Sequence, residues 1–198
     1  MAPIQLLILV VAVIVLCVGS TKCLAVTIAQ QENSSTNDDD LQRICSMTNY
    51  PPLCFQSYKA DPRTPGADLK TLAQIAIDFS KPRAQSALDL VTGLHKNATD
   101  KTLATVLGLC VKNYTQSVEL LDLATEAMNS KDYDVVAVRG VCARTDSDWC
   151  KYGFGSEVEE PKELKKAGQV LRDSLHPLTI IVADLIRSGS SQQDTISV

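Results

Sequence analysis

The chain has 198 residues, 45% of them hydrophobic, 21% charged and 5% aromatic, with a net charge of −4 and a pI near 5.2. These values suit one soluble domain of ordinary size with an aliphatic, alanine-rich core. No basic run stands out along the sequence, so a nucleic-acid partner is not expected.

Ile4 to Val18 is uninterrupted apolar sequence, shorter than the ~20 residues a membrane span needs. Cys23-Leu24-Ala25 follows as a small-x-small cleavage site after Ala25, with Ala29 as a second candidate. Residues 1–25 therefore read as a signal peptide, the alternative being a retained anchor, and no membrane association is expected once the signal is removed. Lys22 is the only charged side chain lost with it, which takes the net charge from −4 to −5. The expected location is extracellular, since a cleaved signal peptide directs export.

Residues 26–37 are polar and read as a flexible arm. Asp38-Asp39-Asp40 then places acids at the positive end of a short helix through Leu41 and Ile44. Asn49-Tyr50-Pro51-Pro52 is a turn, and a second short helix runs from Pro52 to Lys59, so residues 38–60 form a helical hairpin. The bundle proper is expected over residues 61–188. Asp61 to Gly66 is a loop, and Asp68 caps a helix with Leu69, Leu72, Ala76 and Phe79 on one face. The apolar set resumes beyond Pro82 as Ala84, Ala87, Leu88, Val91 and Leu94, out of phase with the first half, which predicts a kinked helix to about His95.

The clearest pattern lies between Asp100 and Met128. Leu103, Leu107, Cys110, Tyr114, Ser117, Leu121, Ala124 and Met128 recur at alternating steps of four and three, laying one seam along one helix face. A helix of this length cannot bury its seam alone, so others must pack on it. The next helix is capped by Asp132 or Asp134 and carries Val135, Val138, Val141 or Cys142, and Thr145 as its expected inner face. Lys151 to Pro161 reads as a loop, with Glu157, Glu159 and Glu160 on a solvated face. Pro161 opens a last helix through Leu164, Ala167, Leu171, Ser174, Leu178, Ile181 and Leu185, bent at Pro177. Residues 189–198 read as a flexible tail. The expected fold is all-α, an antiparallel up-down-up-down four-helix bundle with an N-terminal short helical hairpin and two disulfides.

Loss of Cys17 and Cys23 with the signal leaves five cysteines, which in an oxidising compartment should form two bridges and leave one thiol. Cys45 and Cys54 sit on adjacent short helices. Cys110 lies early in its helix and Cys150 late in the next, positions that antiparallel neighbours bring together. That leaves Cys142 as a buried free thiol, with a 110–142 bridge as the rival pairing.

Groups for catalysis are sparse. His95 and His176 have no nucleophile in any motif beside them, and neither a metal-spaced cluster nor a phosphate loop occurs, so no catalytic residue, metal or cofactor is expected. Asn33, Asn97 and Asn113 each stand in an N-glycosylation sequon, Asn97 being the best placed because it falls in an expected loop.

CSMTNYPPLC with Thr48, Tyr50 and Pro51 between its cysteines, then LGLCVKNYTQSVELLDLA, NSKDYDVV and DSDWCKYGF, resembles the plant family of invertase and pectin methylesterase inhibitors from Leu41 to about Ile186. The resemblance implies a four-helix bundle with an N-terminal hairpin, bridges Cys45–Cys54 and Cys110–Cys150, and an unpaired Cys142. The chain departs from the family pattern where Trp149, rather than threonine, precedes the fourth cysteine of that frame. The implied function is a secreted, non-enzymatic inhibitor that covers the active-site cleft of pectin methylesterase, with acid invertase as the alternative target. A non-inhibitory structural or ligand-binding bundle is the reading from another class. Lys112, Gln116 and Glu119, on the polar side of the long helix, are the expected target-contact face.

Overall fold

The computed structural model describes residues 38–156 and 158–193, with side chains as far as Ser188. The expected signal peptide, the arm with Asn33, Glu157 and the last residues of the tail lie outside the described residues. Contacts divide the chain between Asp40 and Leu41, and the part from Leu41 onward holds the bundle and both disulfides. Helix α1 covers 38–46, α2 Pro51–Lys59, α3 Leu69–Asn97, α4 Lys101–Asn129, α5 Tyr133–Gly153 and α6 Lys162–Gln193. Among the described residues there is no strand. Each long helix packs on the next and α6 returns to α3, so α3 to α6 close a four-membered ring. Short turns between them make it up-down-up-down.

The helix starts follow capping chemistry. Asp68, Asp100 and Asp132 each accept a hydrogen bond from the backbone N–H three residues on, at Thr71, Leu103 and Val135. Tyr50 offers no side-chain cap to α2, where Pro51 and Pro52 fill the first turn.

The α4 seam is buried as its spacing requires, with Leu107, Cys110, Tyr114, Ser117, Leu121 and Ala124 at 1% exposure or less. Leu103 at its open end is half-buried. Fully burying one such leucine stabilises the fold by about 1.5–3 kcal/mol. The aliphatic core is completed by Leu72, Ile75 and Ile77 of α3 and by Leu164, Leu171, Leu175 and Leu178 of α6.

Two expectations about helix faces are corrected. Helix α3 runs unbroken through Pro82, and its seam keeps phase as Ala73, Ile77, Ser80, Ala84, Ala87 and Val91. The apparent slip comes from following Phe79, which is only half-buried, instead of the small Ser80, whose hydroxyl meets that of Ser174 on α6 at 3.1 Å. Pro82 is on the exposed side, so the carbonyl it deprives of a partner lies toward water. Helix α6 likewise continues through Pro177, and past Arg187 to Gln193.

Helix α5 turns the other way from the expected one. Its buried residues are Val136, Gly140, Ala143, Asp146, Ser147 and Cys150, while Val138 and Val141 are exposed and Val135 and Cys142 are half-buried. Small side chains face inward because α4, α5 and α6 approach closely. Ser117 on α4 donates to the Ala143 carbonyl at 3.0 Å, and Ser147 donates to the Gly168 carbonyl of α6 at 3.2 Å. A Cβ at Gly140 would stand 3.0 Å from Leu178.

Gly168 marks the tightest crossing. A Cβ there would lie 2.7 Å from the Tyr114 hydroxyl, 3.2 Å from Arg172 Nη1 and 3.3 Å from Ser147 Oγ. Gly168→Ala is therefore expected to destabilise the fold by about 1–3 kcal/mol through overpacking. A urea midpoint equal to that of the parent, at unchanged slope, would contradict this.

Cys45–Cys54 and Cys110–Cys150 are the disulfides, and Cys142 is free. The hairpin is held on the bundle by Arg43 to Asp184 at 2.5 Å and by the Asn49 N–H donating to His176 Nδ1 at 3.1 Å. Tyr58 of α2 inserts fully, stacking edge-on to Phe79 at 5.3 Å and donating to the Leu72 carbonyl.

Candidate functional site

The rotation of α5 leaves an apolar stripe on its outer side. Val138, Val141, Thr145, Trp149 and Tyr152 follow one another at steps of three, four, four and three, all of them exposed. At about 1.5 Å per residue the stripe is about 21 Å long. Trp149 is 62% and Tyr152 66% exposed, and their rings meet edge to face at 6.4 Å. The disulfide, the Ser117 and Ser147 hydrogen bonds and the small inward residues fix the helix beneath, so the stripe is rigid.

A cleft of about 510 Å³ runs between α4 and α5, bounded by Lys112, Gln116, Glu119 and Leu123 on one side and Arg139 on the other. Lys112, Gln116 and Glu119 are all exposed on it. The polar side of α4 thus lines this cleft, while the apolar stripe lies on α5 outside it; apolar anchors on one helix and polar groups on its neighbour suit a protein partner. Nothing in the residue pattern of α5 flagged the stripe, because its large residues matched an inner face; Trp149, in a position the family pattern gives to threonine, was the available signal.

Other candidate residues fall elsewhere. Among the described residues no group of three or more His, Cys, Asp or Glu side chains gathers as a metal site. His176 is engaged by Asn49, and burial together with Arg144 lowers its pKa despite Asp173. His95 packs beside Gly108 on α4. Asn97 is exposed and donates to the Gly93 carbonyl at 3.0 Å, and Asn113 is half-buried. Cys142 is free, as expected, but half-buried where a buried thiol was expected.

Asp146 is the most perturbed carboxyl among the described residues. It is 8% exposed, its Oδ2 has no hydrogen-bond partner among the described residues, and burial pushes its pKa up to about 6. A carboxyl raised in the folded state costs nothing below its unfolded pKa of about 3.9 and its full penalty above pH 6. Asp146→Asn is thus expected to stabilise the protein at pH 7.5 by up to about 3 kcal/mol, with the gain fading toward pH 4. Equal melting temperatures at both pH values would refute it.

Comparisons with known proteins agree with this architecture. The model of the family described as plant invertase/pectin methylesterase inhibitor matches residues 39–184. A pectinesterase inhibitor of Actinidia deliciosa is 26% identical over 159 residues, covering 80% of this chain and 85% of that protein. The cell wall/vacuolar inhibitor of fructosidase 2 of Arabidopsis thaliana is 27% identical over 135 residues, covering 67% and 75%. The crystal structure of a mutant form of a pectin methylesterase inhibitor from Arabidopsis superposes with a TM-score of 0.65 at 19% identity, over 73% of this chain and 95% of that one, and so shares the fold. With the bundle, the hairpin and the paired cysteines in place, the chain belongs to the plant invertase/pectin methylesterase inhibitor family.

Proposed function

We propose that the protein is a secreted proteinaceous inhibitor of plant pectin methylesterase, acting as a stoichiometric plug on the enzyme's active-site cleft rather than by chemistry of its own. The observation that carries the reading is the rigid, unpartnered stripe on α5 ending in Trp149 and Tyr152. A stripe of this length would fill a groove with little change of shape in the inhibitor. Trp and Tyr are the residue types that dominate binding energy at such contacts. Lys112, Gln116 and Glu119 form the polar rim on α4, and Asn97, at the far end of α3, is the proposed glycan acceptor.

Acid invertase is the second reading, favoured by the fructosidase inhibitor among the relatives. Titration of the disulfide-intact protein against a plant pectin methylesterase and an acid invertase at mildly acidic pH separates the two. Loss of activity at one-to-one stoichiometry in one enzyme names the target. No effect on either at a tenfold excess would reject both and leave a non-inhibitory bundle.

A further inference from the structure

The lysines that are scattered along the chain converge in space. A surface groove of about 490 Å³ opens between the start of α2, the end of α5 and the outer side of α6. Its floor is apolar, made by Leu53 and Val170, with Tyr50 beside them at 54% exposure. Around it stand Lys151, Lys162, Lys165, Lys166 and Arg172, opposed in the lining by Asp173 alone. The expectation that nothing basic clusters thus holds along the sequence and fails in the fold.

The cations differ in what they are free to do. Arg172 is committed, with Nε 3.4 Å from Asp148 and Nη2 donating to Gln169 at 2.8 Å. Asp173 is occupied in turn by Gln169, which donates to it at 2.9 Å. Among the described residues none of the four lysines is held in an ion pair, although Glu160 lies close enough to Lys151, Lys165 and Arg172 to feel their charge. On α6, Lys165 and Lys166 are neighbours about one turn beyond Lys162, so the three ammonium groups start within about 6 Å of one another along the axis.

We propose that this groove, which adjoins the enzyme-docking stripe where Lys151 lies over the Tyr152 ring at 5.9 Å, binds a linear acidic polysaccharide, a chain of uronate sugars. Three features select that chemistry. Four lysines from two helices gathered around one groove engage a ligand that itself carries several charges along its length, where a single small anion would meet only one or two. Mobile lysine ammonium groups suit successive carboxylates, whereas phosphate recognition favours the bidentate fork of arginine, and the one arginine here is already engaged. An exposed tyrosine beside an apolar floor offers a face for a sugar ring, while a single aromatic falls short of the stacking series that single-stranded nucleic acid uses.

The test is calorimetric titration of the full-length, disulfide-intact protein, with no enzyme present, against an unesterified galacturonate decamer, its fully methyl-esterified counterpart and an oligonucleotide of equal charge. Binding of the acid form is expected, at least tenfold tighter than either other probe and weakening as salt rises from about 50 to 200 mM. Lys162→Gln, Lys165→Gln and Lys166→Gln together should weaken it at least tenfold, and Tyr50→Ala severalfold, with both variants melting like the parent. Equal binding of the methyl ester, tighter binding of the oligonucleotide, no binding at all, or full affinity in the triple variant would each overturn the proposal. Because enzyme inhibition is not the readout, failure here leaves the inhibitor reading standing, and the reverse.

Discussion

Replacing Cys110 and Cys150 together by serine is expected to lower the unfolding free energy by about 4 kcal/mol. The bridge closes a segment of 40 residues, and the chain-entropy relation assigns the effect chiefly to the unfolded chain. Both cysteines are buried, at 0% and 1% exposure, so serine hydroxyls in their place add a desolvation cost. A typical domain has about 5–15 kcal/mol in all, so the variant should sit near the edge of folding at 37 °C. The matching pair at Cys45 and Cys54, nine residues apart, should lose less, roughly 3 kcal/mol. Urea unfolding of both double variants checks the order. A loss below about 1 kcal/mol for the 110–150 pair would show that the Ser117 and Ser147 contacts already hold α4, α5 and α6 without it.

Trp149→Ala should raise the inhibition constant against the target enzyme at least about 30-fold, equivalent to ~2 kcal/mol of binding, and Tyr152→Ala should raise it about tenfold. Both rings are mostly exposed in the free protein, so their removal should shift the melting temperature little. The separation of effects is the point: a large loss of inhibition with an unchanged fold is what an anchor in a partner's groove predicts, and a merely structural residue would move both. Lys112→Ala, Gln116→Ala and Glu119→Ala, as rim residues, should each cost under about 1 kcal/mol. If Trp149→Ala inhibited normally and the α4 variants did not, the docking face would belong to α4 and the stripe would need another explanation.

The readings that succeeded rest on large aliphatic residues at helical spacing and on caps. Leu107, Leu121, Leu171 and Leu178 announce which way α4 and α6 face, and Asp68, Asp100 and Asp132 announce where their helices start. Those signals are local, since a side chain's size and a cap's chemistry are properties of the residues themselves. The readings that failed involve small residues. Ser80 carries the α3 seam and Gly140, Ala143 and Ser147 the inner face of α5, and none of them is distinguishable in sequence from a surface position. They are inside because neighbouring backbones come close, and closeness is a property of the pair of helices. Choosing the larger valines as the inner face of α5 therefore turned the helix outside in.

The candidate site follows the same division. Two bridges, an all-helical bundle and the family's cysteine frame were determined by the sequence alone, because spacing and redox chemistry leave few alternatives for so short a set of signals. Which face of α5 meets a partner was decided only when α4 and α6 claimed its small residues and left Trp149 and Tyr152 to solvent. The basic groove was decided the same way: Tyr50, Lys151 and the lysines of α6 belong to three separate elements, and only the packing of hairpin against bundle sets their charges around one floor. Net charge sums over the whole chain, whereas a ligand meets the charges that the fold brings within a few ångströms.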